Sequence, residues 1–391
     1  MGHPNLIERG YETPLKQRNI TCFVGNGFDL QALGDFSQQI DTRYTSFFHF
    51  LKMRSFNSEN LIFQEMVRLQ KHGKTDWVDV EAVVAGLTGK HEVPKLLDNL
   101  RTIQQEFAAY LDIVVSSSFL NDLGASSSAE NWAINSLQSF LGDLNEDEYK
   151  SLQFPKSCRH YDVFSFIFLN FNYTPIFDNY IYLDSKQFDP RQCRWADRNF
   201  QFEPNPKNMS GLAEWDANTS FSSYVLTEVF HPHGTQGTAR PLLFGTDLPK
   251  TNDFKKDSIS RLSKHFWAQN NVRHKHLFDN TELYIIFGCS LGESDRWWWA
   301  NLLDSLKEVK PYDLSSKNNS TTHSYINFQP EVILYWYNSD GKATRESVIN
   351  SLFAAADRNE LRDELSQYVH VVLFDDSTDR VWLNTQRTES A

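Results

Sequence analysis

The sequence contains little cysteine, no P-loop motif and no long hydrophobic run. Its four cysteines, in 391 residues, lie far apart and form no Cys-x-x-Cys pair, which argues against a zinc ribbon or a disulfide framework. The pattern Gly-x-x-x-x-Gly-Lys-Ser/Thr does not occur, which excludes the P-loop ATPases. Residues 1–18 lack the apolar core of a signal peptide, and no run of about 18 apolar residues follows, so we predict a cytoplasmic protein without membrane segments.

Acidic residues outnumber basic ones, 50 to 38, which argues against non-specific binding of nucleic acid. Aromatic residues, in contrast, are abundant, with 30 Phe and 10 Trp. Three of the tryptophans, Trp297–Trp299, are consecutive, and on a helix they point about 100° apart. Either the helix is buried on all sides or one tryptophan meets another chain, and we predict a homo-oligomer or a complex with a partner protein.

Apolar segments of strand length alternate with helical segments, which is typical of an α/β protein whose parallel sheet is covered on both faces. The predicted strands are 19–24, 161–169, 224–230, 283–287, 332–337 and 369–374. Helices are predicted at 94–120, 258–277 and 344–366. Nearly all of residues 50–155 has helical spacing, which is more than one crossover needs. We therefore predict a sheet domain formed by 1–49 and 156–391, with a helical insertion at 50–155.

Polar or glycine-bearing clusters follow five of the predicted strands. In open parallel sheets, ligands bind beyond the carboxyl ends of the strands, so five clusters at that end predict one shared site. The clusters are Gly25-Asn26-Gly27, Asn170 to Thr174, His231 to Gly234, Gly288 to Ser290, and Asn338-Ser339.

The segment Gly25-Asn26-Gly27 separates the first strand from a predicted helix at 28–36. Two glycines let the backbone turn sharply, and the N–H groups at a helix N-terminus favour an anion. The sequence thus predicts a phosphate seat, although the third glycine of the dinucleotide fingerprint is absent. A tight turn without a ligand is the alternative.

Four side chains in these clusters are candidates for chemistry. Asn172 could hold a ribose hydroxyl or a water, or form an Asx turn. His233 could be a general base, because its ordinary pKa is near neutrality, or a structural histidine. Asp29 could bind a sugar hydroxyl, orient a catalytic group or cap a helix. Ser290 could contact a phosphate or ribose, or complete a turn.

Two further features of the sequence allow more than one interpretation. His231 and His233 would share one face of an extended chain, but no third ligand is near, so we predict no metal. Residues 76–81, Asp-Trp-Val-Asp-Val-Glu, either send one carboxylate toward the site or form a solvated acidic helix face.

In order along the chain, these motifs resemble those of the AbiH family of bacterial abortive-infection proteins, over about two thirds of the sequence. Cys289 stands where that family often has His. The motifs are Gly25-Asn26-Gly27-Phe28-Asp29-Leu30, Thr42-x-Tyr44-x-x-Phe47, Trp77-x-Asp79-x-Glu81, Asn170-Phe171-Asn172-Tyr173-Thr174, His231-x-His233-Gly234, and Phe287-Gly288-x-Ser290-Leu291-Gly292 with Asp295.

The chain also resembles SIR2-like domains, with Asn172, His233-Gly234 and Asn338 at corresponding strand ends. This resemblance implies a Rossmann-like domain that binds NAD. The paired zinc-binding cysteines of the protein deacylases are absent, as they are in defence-associated SIR2-like proteins, which hydrolyse NAD. The implied NAD-binding positions are Gly25, Asn26, Gly27, Phe28, Gly288, Ser290, Asp295 and Asn338.

From these resemblances we expect an antiphage enzyme that hydrolyses NAD at the nicotinamide–ribose bond. Asn172 would hold the water or the ribose hydroxyls, His233 would take a proton, and Asp29 would complete the catalytic set. An NAD- or ADP-ribose-sensing module without turnover is the first alternative. An RNA-directed toxin is the second.

Overall fold

The long apolar strands of the sequence form a single parallel sheet. The structure, a computed structural model, describes residues 2–3, 17–73, 79–156, 162–182, 202–203, 224–236, 242, 262, 264, 269–313 and 325–386. The strands are β1 (Gln17–Val24), β2 (Val163–Asn170), β3 (Tyr224–Phe230), β4 (Leu283–Phe287), β5 (Lys310–Asp313), β6 (Tyr325–Phe328), β7 (Glu331–Tyr337) and β8 (Val369–Phe374). All except β5 and β6 belong to the parallel sheet, while β5 and β6 form an antiparallel pair that the sequence pattern did not predict.

The strand order across the sheet is β3-β2-β1-β4-β7-β8, and every pairing is parallel. Numbered within the sheet alone, this is 3-2-1-4-5-6, the order of the doubly wound Rossmann sheet. The α/β prediction and its Rossmann-like form are therefore confirmed. In this order the direction of strand addition reverses between β1 and β4, where ligands of such sheets bind.

Helices fill most of the chain between β1 and β2. One core of buried side chains includes both these helices and one face of β1, with Ile20, Cys22 and Val24. The predicted division into a sheet domain and an insertion at 50–155 stays a prediction. The described α-helices are α1 (Asn26–Asp35), α2 (Tyr44–Met53), α3 (Leu61–Lys71), α4 (Val80–Leu87), α5 (Val93–Val114), α6 (Ser117–Glu130), α7 (Trp132–Gln138), α8 (Glu146–Ser151), α9 (Ile176–Ile181), α10 (Asn270–Arg273), α11 (Leu277–Asn280), α12 (Arg296–Ser305), α13 (Arg345–Ala356) and α14 (Arg362–Leu365).

Two long helices predicted from spacing are interrupted in the structure. The predicted helix at 94–120 divides into α5 and α6, because the Ser116 hydroxyl accepts a hydrogen bond from Phe119 N (3.2 Å) and starts a new helix. The predicted helix at 344–366 ends at Ala356, where Asp357 adopts a left-handed conformation (φ 56°). The predicted helix at 258–277 falls mostly outside the described residues.

The three consecutive tryptophans lie on α12, which covers the second face of the sheet. Trp298 and Trp299 are buried and contact Phe23 of β1. Trp297 is half-buried, and its indole N–H donates to Asn271 Oδ1 (2.8 Å). Packing within the chain thus accounts for all three rings, which removes our main reason for predicting an oligomer.

The amino ends of the outer strands hold a buried group of charges. His370, at the start of β8, places Nδ1 3.0 Å from Glu148 Oε2 and Nε2 3.0 Å from Glu331 Oε1. Arg345 donates to Glu148 (2.5 Å), and Glu331 accepts from the backbone N–H groups of 153 and 154. Burial alone would lower the pKa of His370, but the two carboxylates outweigh it and raise that pKa.

Candidate functional site

The turns that follow β1 and β4 touch each other backbone to backbone. Val24 pairs with Phe287, so Gly25 and Gly288 emerge side by side. A Cβ atom on Gly25 would lie 2.5 Å from Gly288 O, and one on Gly27 would lie 2.6 Å from Gly288 Cα. Gly288 itself has a φ of +68°, which favours glycine. The close approach of these two turns, between β1 and β4 where the strand order reverses, therefore explains all three glycines.

This contact also uses most N–H groups of the Gly25–Gly27 turn. Gly25 N donates to Phe287 O (2.9 Å), Gly27 N to Gly288 O (2.9 Å) and Phe28 N to Gly25 O (3.0 Å). Fewer donors are therefore available to an anion than the sequence pattern predicts. The role of this turn as a phosphate-binding site stays a prediction.

A cavity of about 460 Å³ lies beyond these turns, within the size range of small-molecule sites. We call it the Asn172 cavity. Several of the predicted site residues line it, together with residues of the helical segment such as Tyr44 and Glu81. The predicted residues at its wall are Gly25, Asn26, Asp29, Asn172, His233, Gly288, Ser290 and Asp295.

Asn172 is held in one orientation by two acceptors. Its amide Nδ2 donates to Asp29 Oδ1 (2.9 Å) and to Gly25 O (3.1 Å), which leaves the amide oxygen as the group facing other partners. No described residue donates a hydrogen bond to that oxygen, although Asn172 is only 4% exposed. The cavity wall thus presents a fixed hydrogen-bond acceptor, and Asn172 does not form the simple Asx turn.

Asp29 fixes the Asn172 side chain by accepting a hydrogen bond from its amide. It is fully buried, and its second oxygen accepts a hydrogen bond from Thr174 Oγ1 (2.6 Å). Burial raises the pKa of Asp29 to about 7, while the hydrogen bond from Thr174 opposes that rise. Asp29 therefore orients the amide rather than capping α1, and Thr174 is a partner that sequence reasoning had placed only within a motif.

His233 lies beside Asp295 at the other wall of the cavity. Its Nε2 is 3.3 Å from Asp295 Oδ1, and its ring stacks on Phe171 (centroids 4.8 Å apart). Burial and the charge of Lys264 lower the pKa of His233, against the pull of Asp295. A neutral imidazole at neutral pH follows.

A buried lysine joins Asp295 to the helical segment. Lys264 Nζ is 2.6 Å from Glu81 Oε1 and 3.5 Å from Asp295 Oδ1. Burial would raise the pKa of Asp295, but Lys264 and His233 outweigh it and lower that pKa, which keeps this carboxylate ionised. Burial raises the pKa of Glu81 to about 7, against the effect of Lys264. Of the segment 76–81, residues 76–78 lie outside the described residues, and Glu81 is buried at the wall of the cavity rather than on a solvated helix face.

Four residues that we considered do not line this cavity, namely Gly27, Phe28, Asn338 and His231. Gly27 packs against Gly288. Phe28 is fully buried between Phe177 and Tyr180. Asn338 closes a turn, since its amide accepts from Ala343 N (2.9 Å) and donates to Ala343 O (3.3 Å). His231 pairs with Asp178 Oδ1 (3.0 Å) rather than sharing a face with His233. No group of three metal-ligating side chains occurs among the described residues.

Sequence reasoning missed Lys264, which has no motif around it, and one pattern in the turn after β4. Residues 288–292, Gly-Cys-Ser-Leu-Gly, also fit Gly-x-Ser-x-Gly, the pattern of a strained turn that presents a nucleophilic serine. Ser290 is exposed, but in the described part of the chain no side chain forms a hydrogen bond with its hydroxyl. Because that hydroxyl has no hydrogen bond to His233 in the described structure, a Ser-His-Asp relay is not assembled there.

Sheet order and cavity together define a class, namely a Rossmann-like α/β protein with a polar cavity at its switch point. The particular family follows from comparison with family models. Residues 22–312 match the model described as Bacteriophage abortive infection AbiH, and the chain belongs to this family. Its role is therefore in antiphage defence by abortive infection. A search of curated proteins found no match. Within the described residues, no helix is both long and apolar enough to cross a membrane.

Proposed function

We propose that this chain acts in abortive infection by binding NAD in the Asn172 cavity and hydrolysing its nicotinamide–ribose bond. The observation that supports this proposal most is the orientation of Asn172. Its amide N–H groups are committed to Asp29 and Gly25, so the amide oxygen is a fixed acceptor for a ribose hydroxyl or for the attacking water.

The charges around the cavity suit the bond to be broken. When the bond between ribose C1′ and the nicotinamide nitrogen breaks, its electron pair leaves with nicotinamide, and the sugar becomes positively charged. Asp295 stays ionised at neutral pH chiefly because of Lys264, and Asp295 and Glu81 place two carboxyl groups at the wall against that one lysine. A fixed charge in a partly buried site stabilises such a cation better than water does.

A water then attacks C1′ and loses a proton. The His233–Asp295 pair is the acceptor that the cavity offers, since His233 is neutral and Asp295 stabilises the imidazolium that forms. Proton transfer of this kind typically contributes about 10²–10⁴-fold to a rate. The products are nicotinamide and ADP-ribose.

The direct test incubates the purified full-length chain with NAD and follows nicotinamide release by chromatography. The expected result is release that depends on enzyme concentration and that Asn172→Ala abolishes. Binding of NAD without release would favour the sensing module instead. Neither binding nor release, with loss of RNA in cells that express the chain, would favour the RNA-directed toxin.

A further inference from the structure

A second cavity, of about 820 Å³, lies on the other side of the turn after β4. We call it the Tyr337 cavity. It is bounded by α1, by the carboxyl ends of β7 and β8, and by the segment 374–386. Its lining includes four positions that the SIR2-like resemblance implies in NAD binding, but the proposed function places no part of NAD there. These positions are Asn26, Gly27, Gly288 and Ser290. Its size is within the range of sites that hold small organic molecules.

The two cavities adjoin along one shared wall. Five residues line both: Asn26, Arg43, Gly288, Cys289 and Ser290. This wall is the pair of glycine turns at the switch point, where the sheet brings β1 and β4 together. A ligand with two lobes joined by a narrow linker would place one lobe in each cavity and its linker across these turns.

The side chains of the Tyr337 cavity suit a nucleoside. Tyr337 is 50% exposed, and its ring lies 5.7 Å from that of Phe374, which gives an aromatic surface on which a base can stack. Asp376 Oδ2 accepts from the Tyr337 hydroxyl (2.9 Å), so a carboxylate lies beside that surface and can accept from sugar hydroxyls. The charged residues at this cavity are two arginines and three carboxylates: Arg43, which pairs with Asp41, Arg380, Asp35, Asp375 and Asp376.

We infer that the Tyr337 cavity binds the adenosine half of a dinucleotide whose nicotinamide half lies in the Asn172 cavity. This inference rests on the proposed function for its choice of dinucleotide. The pyrophosphate crosses the shared wall near Ser290 and Arg43. The substrate class is therefore dinucleotides rather than nicotinamide mononucleotides, and the second cavity determines that preference.

Gly34 allows the Tyr337 cavity to be blocked without strain in the backbone. It lies on α1 at the wall of this cavity, and a Cβ atom there meets nothing within 4 Å. Gly124, on α6, is equally open and lines neither cavity. Gly34→Trp and Gly124→Trp are thus a matched pair, because both place the same large side chain on an open helix position.

The test titrates the full chain with AMP in a calorimeter. We expect AMP to bind the wild type and Gly124→Trp alike, and to bind Gly34→Trp at least about tenfold more weakly. Tyr337→Ala should weaken binding by about 5–150-fold, the range of one base stacked on one aromatic ring. Absence of AMP binding to the wild type, or equal binding to the two tryptophan variants, would overturn the inference.

Measuring KM for two substrates distinguishes a failure of this inference from a failure of the proposed function. In the wild type, KM for NAD should be lower than KM for nicotinamide mononucleotide, and Gly34→Trp should bring the two values together. If the ratio of the two KM values is unchanged in Gly34→Trp, the Tyr337 cavity does not bind the adenosine half, and the proposal of NAD hydrolysis is unaffected. The expected AMP binding pattern without cleavage of either substrate would instead reject the proposed function and retain the nucleotide site.

Discussion

Buried ionisable side chains have different surroundings at the two ends of the parallel sheet. At the amino ends, Arg18 pairs with Glu282 (2.9 Å), and His370 lies between Glu148 and Glu331. These side chains are almost fully buried and line neither cavity. At the carboxyl ends, the ionisable side chains lie around a cavity instead. Asp295 there approaches both His233 and Lys264 at distances longer than 3.2 Å.

This difference separates structural charges from chemical ones. A buried charge with close partners resists removal of any one of them, because the remaining charge loses its compensation. A charge or amide with spare hydrogen-bonding capacity at a cavity wall can exchange partners with a ligand. We therefore expect substitutions at the amino ends to change stability and substitutions at the carboxyl ends to change activity.

The largest effect is expected for Asn172→Ala, which should abolish NAD cleavage, a fall of at least about 10³-fold. The variant removes the acceptor at the cavity wall. It should stay folded, because Asp29 keeps its hydrogen bond from Thr174 and, with a pKa of about 7, can take up a proton. Nicotinamide release and thermal unfolding are measured on the same sample. Wild-type turnover in the folded variant would remove Asn172 from the catalytic set.

His233→Ala should lower turnover by about 10²–10⁴-fold with little change in the affinity for NAD. The wild-type ring accepts the proton, whereas the alanine variant leaves only Asp295 to do so. His231→Ala is the comparison, and it should do less, because His231 pairs with Asp178 away from the cavity wall. The measurement is the steady-state kinetics of nicotinamide release in the two variants. A larger loss from His231→Ala, or loss of activity on adding a chelator, would indicate a metal site.

His370→Gln should act in the opposite way, lowering the free energy of unfolding by about 3–5 kcal/mol with unchanged turnover per folded molecule. The substitution leaves Glu148 and Glu331 facing each other without the positive charge between them. Denaturant unfolding and nicotinamide release are the measurements. If turnover fell while stability held, the amino end of the sheet would share in catalysis and our comparison would fail.

The stabilisation by His370 should also depend on pH. The pKa of His370 is raised in the folded state, so its contribution is fully present below its unfolded pKa of about 6.5 and is lost as pH rises through the folded value. The stability difference between wild type and His370→Gln should therefore shrink as pH is raised from 6.5. A difference that grew with pH would mean that the histidine is neutral between the carboxylates.

The smallest effect is expected for Ser290→Ala, which should raise KM for NAD by about 10-fold, the low end for one hydrogen bond to a charged group, because Ser290 is exposed. Ser290 lies on the wall between the two cavities, where the linking phosphates of a dinucleotide pass. Complete loss of turnover, together with labelling of Ser290 by a fluorophosphonate, would instead identify a serine nucleophile.

The periodicity of the sequence predicted the sheet well, because most of its strands are apolar runs that are buried on both faces, as β2 and β4 are. The edge strand β3, with Thr227 and Glu228, is only half-buried. The periodicity placed the ends of β3, β4 and β8 correctly. The pair β5 and β6 was missed because it contributes no such run. Helix ends at Ser116 and Asp357 depend on local capping, which spacing alone does not reveal.

Much of the candidate site was also accessible from sequence, since parallel strands bring their carboxyl ends to one edge. Asn172, Asp29, His233 and Asp295 do meet around one cavity. Asn338 follows a strand in the same way, yet its amide is used by the turn to Ala343. Lys264 could not be predicted, because its position depends on tertiary contacts with Glu81 and Asp295 rather than on a strand end.

The glycine contact at the switch point has a practical consequence for genetics. Alanine at 25 or 27 would place a Cβ within 2.6 Å of the turn at Gly288, so such variants disrupt the joining of β1 to β4 before they affect any ligand. A screen for mutants that no longer protect against phage will therefore recover these glycines beside Asn172 and His233. Only the amount of folded protein in each mutant distinguishes a broken sheet from a lost activity.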